Sequence, residues 1–395
     1  MQPVIISELA IASAIGVGVD ATIGSLRSSK SGLRPRAFEA GLDTWVGEIS
    51  AADQIRLPPG FEAYDCRNNR VAELALVQGS FVRAVEEARA RYGADRVGIF
   101  LGTSTSGIET SEIAYRSRDG AGRFTTDYHY AETHNTFSVA RFIAERLQLS
   151  GPAVAISAAC ATTAKAFGNA ARALEVGLCD AAIVGGADSL CATTLYGFRS
   201  LGLTSAGPCR PFDAARDGIS IGEAAGFALI ERPSARNGAE GVLLLGVGES
   251  SDAYHMSAPD PEGKGACLAM KRALAAAGLR PDEIDYINVH GTATPAGDAA
   301  EDCAVGEIFG TDTPCSSTKG FTGHTLGAAG VVEAILSCLA IRLDLMPGSP
   351  HTQRVDPQLR SRYLLASREA HLTHVLSNSF GFGGSNCSLV LGRRR

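Results

Sequence analysis

A chain of 395 residues with 45% hydrophobic residues has enough apolar content for two ordinary domains sharing a large core. Its net charge of −6 shows no nucleic-acid footprint, and no apolar run approaches the ~20 residues that span a bilayer. Ten cysteines without C-x-x-C spacing or a metal-ligand pattern read as reduced thiols in a cytoplasmic protein with no metal site.

From the N-terminus, residues 4–13 (VIISELAIAS) read as an opening strand, and residues 69–91 as a helix. A short apolar strand then runs into GTSTSG at 102–107. The apolar run before Cys160 gives way to the small-residue helical pattern of 164–176. At that junction a thiol meets unpaired backbone N–H groups and the positive end of a helix, both of which favour the thiolate. Residues 182–188 form another strand ending in glycines, and a polar Pro/Ser/Asn/Gly stretch at 233–241 marks a boundary.

Beyond that boundary the pattern repeats in order. Residues 242–251 parallel 4–13, 287–301 with GTATPAG parallel 99–112, and 375–385 parallel 182–188. Strands alternating with helices such as 265–277 predict an α/β protein of buried, mostly parallel sheets, with halves at 1–235 and 236–395. Such a pairing sets Cys160 of one half opposite two glycine-flanked histidines of the other, His290 and His324. One thiol with two imidazoles suggests acyl-thioester chemistry.

Four segments carry a resemblance across the chain: ACATTA at 159–164, HGTATPAGD at 290–298, TKGFTGHTLGAAG at 318–330 and NSFGFGGSN at 378–386. Together they resemble the β-ketoacyl-acyl carrier protein synthases of the thiolase superfamily, which implies a thiolase-like duplicated α-β-α-β-α layered fold. The resemblance implies that Cys160 is acylated from a carrier thioester. His290 and His324 would then stabilise the enolate left when a malonyl thioester loses carbon dioxide. It makes Lys319 a member of the catalytic set and Glu333 its acid partner. Asp298 ends the His290 motif, where a carboxylate orients the turn or caps a helix, and the resemblance makes Phe382 a gate whose backbone N–H joins that of Cys160 as an oxyanion hole. Cys179, Cys191, Cys267 and Cys338 read as buried structural thiols. A degradative thiolase is disfavoured, because such enzymes carry a second cysteine just before the glycine run where this chain has Phe382.

Thr105 falls where the family's loop borders the acyl tunnel and housekeeping members carry Gly or Ile; Lys165 falls where another type has His. With residues 64–70 and 195–200, these features resemble the synthases of bacterial aryl polyene clusters, with fatty-acid elongation as the second reading. The family also contains chain-length-factor subunits, which typically lack the nucleophile that Cys160 supplies here. No resident cofactor is implied, since phosphopantetheine arrives on the carrier protein. The expected partners are that acyl carrier protein, malonyl and acyl thioesters, and a second subunit, identical or related. A local basic patch for an acidic carrier would draw on Arg67, Arg70, Arg123 and Arg199. GTSTSG lacks the G-x-S-x-G spacing of a hydrolase elbow, no G-x-G-x-x-G is complete, and His371-x-x-His374 has no further ligands nearby.

Overall fold

Each expected strand forms where an apolar run can be covered on both faces. In the computed structural model, which describes residues 1–38, 41–124, 127–233 and 241–394, ten strands make the frame. The first half holds β1 (Val4–Ser13), β2 (Val97–Gly102), β3 (Ala153–Ile156), β4 (Ala181–Asp188) and β5 (Ala224–Glu231). The second holds β6 (Val242–Ser251), β7 (Tyr286–Asn288), β8 (Pro314–Ser316), β9 (His374–Gly381) and β10 (Ser385–Arg393). Strand order is β3-β2-β4-β5-β1 in one half and β8-β7-β9-β10-β6 in the other. In each half only β5 or β10 runs against the other four. The sheets are therefore mixed, and all three pairs of segments matched in the sequence occupy equivalent places.

The halves join edge to edge where β1 and β6 pair antiparallel, from Val4 opposite Leu244 to Ile6 opposite Val242. Between the two sheets lie helices α1 (Thr162–Glu175) and α2 (Ala329–Leu343), which share one hydrophobic cluster with strands of both halves. Separate clusters fill the outer layers, one under the helices Arg67–Leu76, Phe81–Tyr92 and Ser138–Leu147, the other under Lys264–Ala277 and Pro295–Phe309. The result is the α-β-α-β-α arrangement.

The structure corrects two expectations and leaves a third outside the described residues. The single helix predicted over 69–91 is two, because the chain turns at Gly79, whose φ of +61° belongs to the left-handed region. An apolar helical stretch does approach spanning length, Leu326–Leu343 with mean hydropathy 1.8, but 89% of it is buried inside the protein as a core helix. The boundary expected over 233–241 falls mostly on 234–240, outside the described residues.

The two central helices meet so closely that side chains are excluded at their contact. A Cβ placed on Gly330 would lie 2.4 Å from the backbone nitrogen of Ala164. Beside it, the Thr163 hydroxyl donates to the Gly327 carbonyl at 2.6 Å and accepts from the Val331 N–H at 2.9 Å. Gly330→Ala is expected to lower stability by about 1–3 kcal/mol by forcing the helices apart. Chemical denaturation measures this; an unchanged unfolding midpoint would show that the crossing yields without cost.

Candidate active site

Cys160 ends the segment after β3, and α1 starts two residues later with Ala161 as its N-cap. Ala159 turns the chain at φ +48°, a left-handed conformation that suits a small side chain, and the turn drives the thiol inward. From the other half, Gly381 passes against this turn: a Cβ there would sit 3.0 Å from the Cys160 nitrogen and 3.2 Å from that of Ala161. This close approach lets the backbone N–H of Phe382 donate to the Cys160 sulfur. The Phe382 ring packs against Phe198, with centroids 5.6 Å apart.

His324 follows Gly323, which has φ +73°. Its backbone is held by bridges on both sides: its N–H donates to the Ser220 carbonyl at 2.7 Å, and its carbonyl accepts from Gly222 at 2.9 Å. So anchored, its Nε2 lies 3.0 Å from the Cys160 sulfur. Its buried Nδ1 has no partner among the described residues. His290 leaves the end of β7, where the Glu301 carboxylate accepts its N–H and that of Gly291, each at 2.7 Å. The two imidazoles meet edge-on, centroids 5.3 Å apart and planes at 86°.

Lys319 lies buried behind them. Its ammonium donates to the Glu333 carboxylate, to the His290 carbonyl and, at 3.2 Å, to His290 Nδ1. A nitrogen that accepts from an ammonium carries no proton of its own, so the His290 proton sits on Nε2. Burial, then the Lys319 charge, holds both histidines well below their ordinary range, and both are neutral at pH 7. Burial pushes Glu333 up to about 7 against the pull of Lys319. It also pushes the Cys160 thiol up to about 11, opposed by Lys319 and the Phe382 N–H. Desolvation thus outweighs the helix start that favours a thiolate, and His324 Nε2, in contact with the sulfur, is placed to take the thiol proton.

A cavity of about 340 Å³ opens onto Cys160, His290 and His324, and Phe198, Phe380 and Phe382 form part of its wall. The sulfur and the imidazole nitrogens lie within 4.8 Å of one another, a spacing a thiophilic cation would accept, but the Lys319 ammonium opposes further positive charge there.

Asp298 sits behind the His290 turn, accepting from the Ala293 and Phe212 N–H groups at 3.1 and 2.7 Å. Thr105 is buried, its hydroxyl and N–H both donate to the fully buried Asp188 at 2.7 Å, and it is not among the residues that line the Cys160 cavity. Asp188 also binds Thr103 and Ser104, and through its other oxygen the Ala328 N–H at 3.0 Å, which ties this loop to the His324 segment. Sequence reasoning missed Asp188 and Glu301, although a carboxylate at the glycine end of a strand and one two turns into the helix after the His290 motif were visible signals.

Among the basic-patch candidates, Arg67 is committed inward to Glu223 and Asp53, Arg70 to Asp65 and Arg123 to Asp119. Arg199 remains exposed, without an ion pair to any described residue. Lys165 pairs with Glu249 at 3.3 Å. His371 is exposed beside Asp344 while His374 Nδ1 contacts the Glu283 carbonyl, so the two share no site.

Family models for the N-terminal and C-terminal domains of β-ketoacyl synthases match residues 1–235 and 242–353. The chain belongs to the β-ketoacyl synthase family. It is 33% identical to the 3-oxoacyl-[acyl-carrier-protein] synthase 2 of Coxiella burnetii, over 99% of this chain and 98% of the relative. Its structure matches the ketosynthase ApeO in complex with its chain length factor ApeC from Xenorhabdus doucetiae at TM-score 0.91 and 40% identity, covering 99% and 98% of the two chains. The ishigamide ketosynthase/chain length factor matches at TM-score 0.90 and 27% identity, covering 99% of each. This β-ketoacyl synthase is a condensing enzyme with the thiolase-like fold.

Because the Lys319 cation depresses the thiol, Lys319→Met moves the pH profile of Cys160 alkylation further alkaline, with less thiolate at any fixed pH. The paired change Lys319→Met with Glu333→Gln, which leaves no lone buried charge, is expected to move it the same way by less. Peptide mass spectrometry of iodoacetamide-labelled Cys160 across pH measures both; an unmoved profile would detach Lys319 from the nucleophile.

Proposed function

We propose that this enzyme elongates an aryl polyene chain by decarboxylative Claisen condensation, as the catalytic member of a dimer with a related, chain-length-factor-like subunit. The observation that carries the chemistry is the meeting of the Cys160 sulfur and two neutral imidazoles in one cavity. The identity to a ketosynthase solved with its chain length factor supports the pairing. Fatty-acid elongation as a homodimer is the second reading, favoured by the named relatives. A non-catalytic role for this chain is opposed by its intact thiol and histidines.

On this reading the carrier-bound acyl thioester enters the cavity, and the Cys160 sulfur attacks its carbonyl as the proton passes to His324 Nε2. The oxygen that gains charge is met by the backbone N–H groups of Cys160 and Phe382, and the carrier thiol leaves with a proton. Malonyl-carrier follows. Its thioester oxygen accepts from His290 Nε2–H and His324 Nε2–H, carbon dioxide leaves, and the electron pair becomes an enolate. That carbon attacks the acyl-Cys160 carbonyl, and collapse of the adduct expels the Cys160 thiolate and frees a β-ketoacyl-carrier. His324 has to accept a proton in the first half and donate a hydrogen bond in the second, and its Nδ1, without a partner among the described residues, leaves both tautomers open to it. The enzyme needs no resident cofactor, since phosphopantetheine comes on the carrier, and it works in the cytoplasm.

Cys160→Ala is expected to abolish acylation. His290→Ala is expected to slow malonyl decarboxylation by about 3–4 kcal/mol of barrier, while Cys160 acylation proceeds. Release of carbon dioxide and intact-protein mass spectrometry separate the two steps. A His290→Ala enzyme that decarboxylates at the parent rate would make that histidine structural.

Intact-protein mass spectrometry with a panel of acyl-carrier thioesters, with and without a co-expressed chain-length-factor-like subunit, tests the pathway. Preferential loading of aryl-enoyl chains and elongation only in the presence of the second subunit are expected. Efficient elongation of saturated chains by the chain alone would select the fatty-acid reading.

A further inference from the structure

Asp188 is the last residue of β4, fully buried and absent from the lining of the Cys160 cavity. Its two oxygens face different parts of the chain. Oδ1 accepts from the hydroxyls of Thr103 and Thr105 and from the N–H groups of Ser104 and Thr105, all between 2.7 and 2.8 Å. Oδ2 accepts from the Ala328 N–H at 3.0 Å, four residues beyond His324. That N–H is shared, because the Thr325 carbonyl also accepts it at 3.0 Å.

The turn that Oδ2 holds is not one the chain adopts unaided. Leu326 has φ +53°, a left-handed conformation that a leucine keeps only when its neighbours impose it. A Cβ placed on Gly327 would lie 2.5 Å from the Ser104 hydroxyl and 2.8 Å from Asp188 Oδ2, so the turn is pressed directly onto the carboxylate. On its other side Thr163, three residues after the nucleophile, donates to the Gly327 carbonyl at 2.6 Å. Upstream, the Ser220 and Gly222 bridges fix the backbone of His324 itself. His324 therefore sits between two anchors, the bridges at its own backbone and the turn at 326–328. The His290 turn is held by other carboxylates, Glu301 and Asp298.

Resting on the roles proposed for the two histidines, we infer that Asp188 is a positioning residue for His324 and not for His290. Through the Ala328 N–H it keeps the 326–328 turn in register against α1, and so sets His324 Nε2 at its 3.0 Å from the Cys160 sulfur. Placement matters at this scale, since a displacement of about 1 Å in a reacting group can cost about a hundredfold in rate.

Asp188→Asn severs this tie selectively. The one amide oxygen serves the four loop donors, which leaves the NH2 group facing the Ala328 N–H, donor against donor. Ala328 keeps the Thr325 carbonyl, so no backbone N–H is orphaned. The substitution is expected to lower turnover in malonyl-carrier decarboxylation about tenfold, with KM changed less than about twofold. In a His324→Ala background it is expected to cost less than about twofold more, and in a His290→Ala background the full loss of about tenfold. Carbon dioxide release measures each rate, and circular dichroism reports the fold. A folded Asp188→Asn enzyme that turns over at the parent rate overturns the inference, as does a raised KM with turnover unchanged. Equal losses in the two histidine backgrounds overturn it by making Asp188 a support of the whole site. A chain that no longer folds overturns it by making the carboxylate a requirement of folding. A His324→Ala enzyme that decarboxylates at the parent rate would instead strike the histidine reading itself.

Discussion

One buried ammonium organises the centre of this enzyme. An unpaired Lys319 charge at 1% exposure would be prohibitively costly, and it persists because Glu333, the His290 carbonyl and His290 Nδ1 surround it. These partners come from separate places: Glu333 from α2, His290 from the turn after β7, Lys319 from the short helix Lys319–Thr322. Satisfying the ammonium therefore fixes where those three elements converge. Together with burial, the larger influence, the same charge keeps both imidazoles neutral; it also fixes the His290 tautomer and draws the thiol toward its ionised form. Structure and reactivity are set by one contact set, so a change there cannot alter one without the other.

The duplication explains why such a site exists at the junction of the halves. Equivalent strands in each half end facing the central helices. The nucleophile enters from the first half on the start of α1, while both histidines and Lys319 enter from the second. Gly381 and Gly330 matter for the same reason: each stands where backbone from one half touches backbone from the other, and even a methyl group would hold them apart.

Much of this was legible in the residues. The Cys160 turn announced itself because an apolar run gave way abruptly to alanines and threonines, a local pattern. The His290 and His324 turns did so through their glycines. What stayed hidden depended on partners distant in sequence. The burial of Arg67 follows from Glu223, 156 residues away, and the commitment of Thr105 follows from Asp188, 83 residues away. The break near Gly79 was missed because apolar residues on both sides continue a helical spacing, while only the backbone at one glycine departs from it. The raised thiol was missed because a helix start is visible in sequence and the desolvation around it is not.

The edge-to-edge pairing of β1 with β6 bears on how the chain is made. Translation delivers the nucleophile's half first, with the β1 edge open and the inner face of α1 uncovered until more than a hundred further residues emerge, since the central cluster draws on α2. A ribosome-bound first half is thus an unfinished layer whose apolar face still lacks its cover. The reactive thiol is enclosed only when the histidines that govern it arrive, so the nascent enzyme passes from an exposed cysteine to a regulated one in a single closing step.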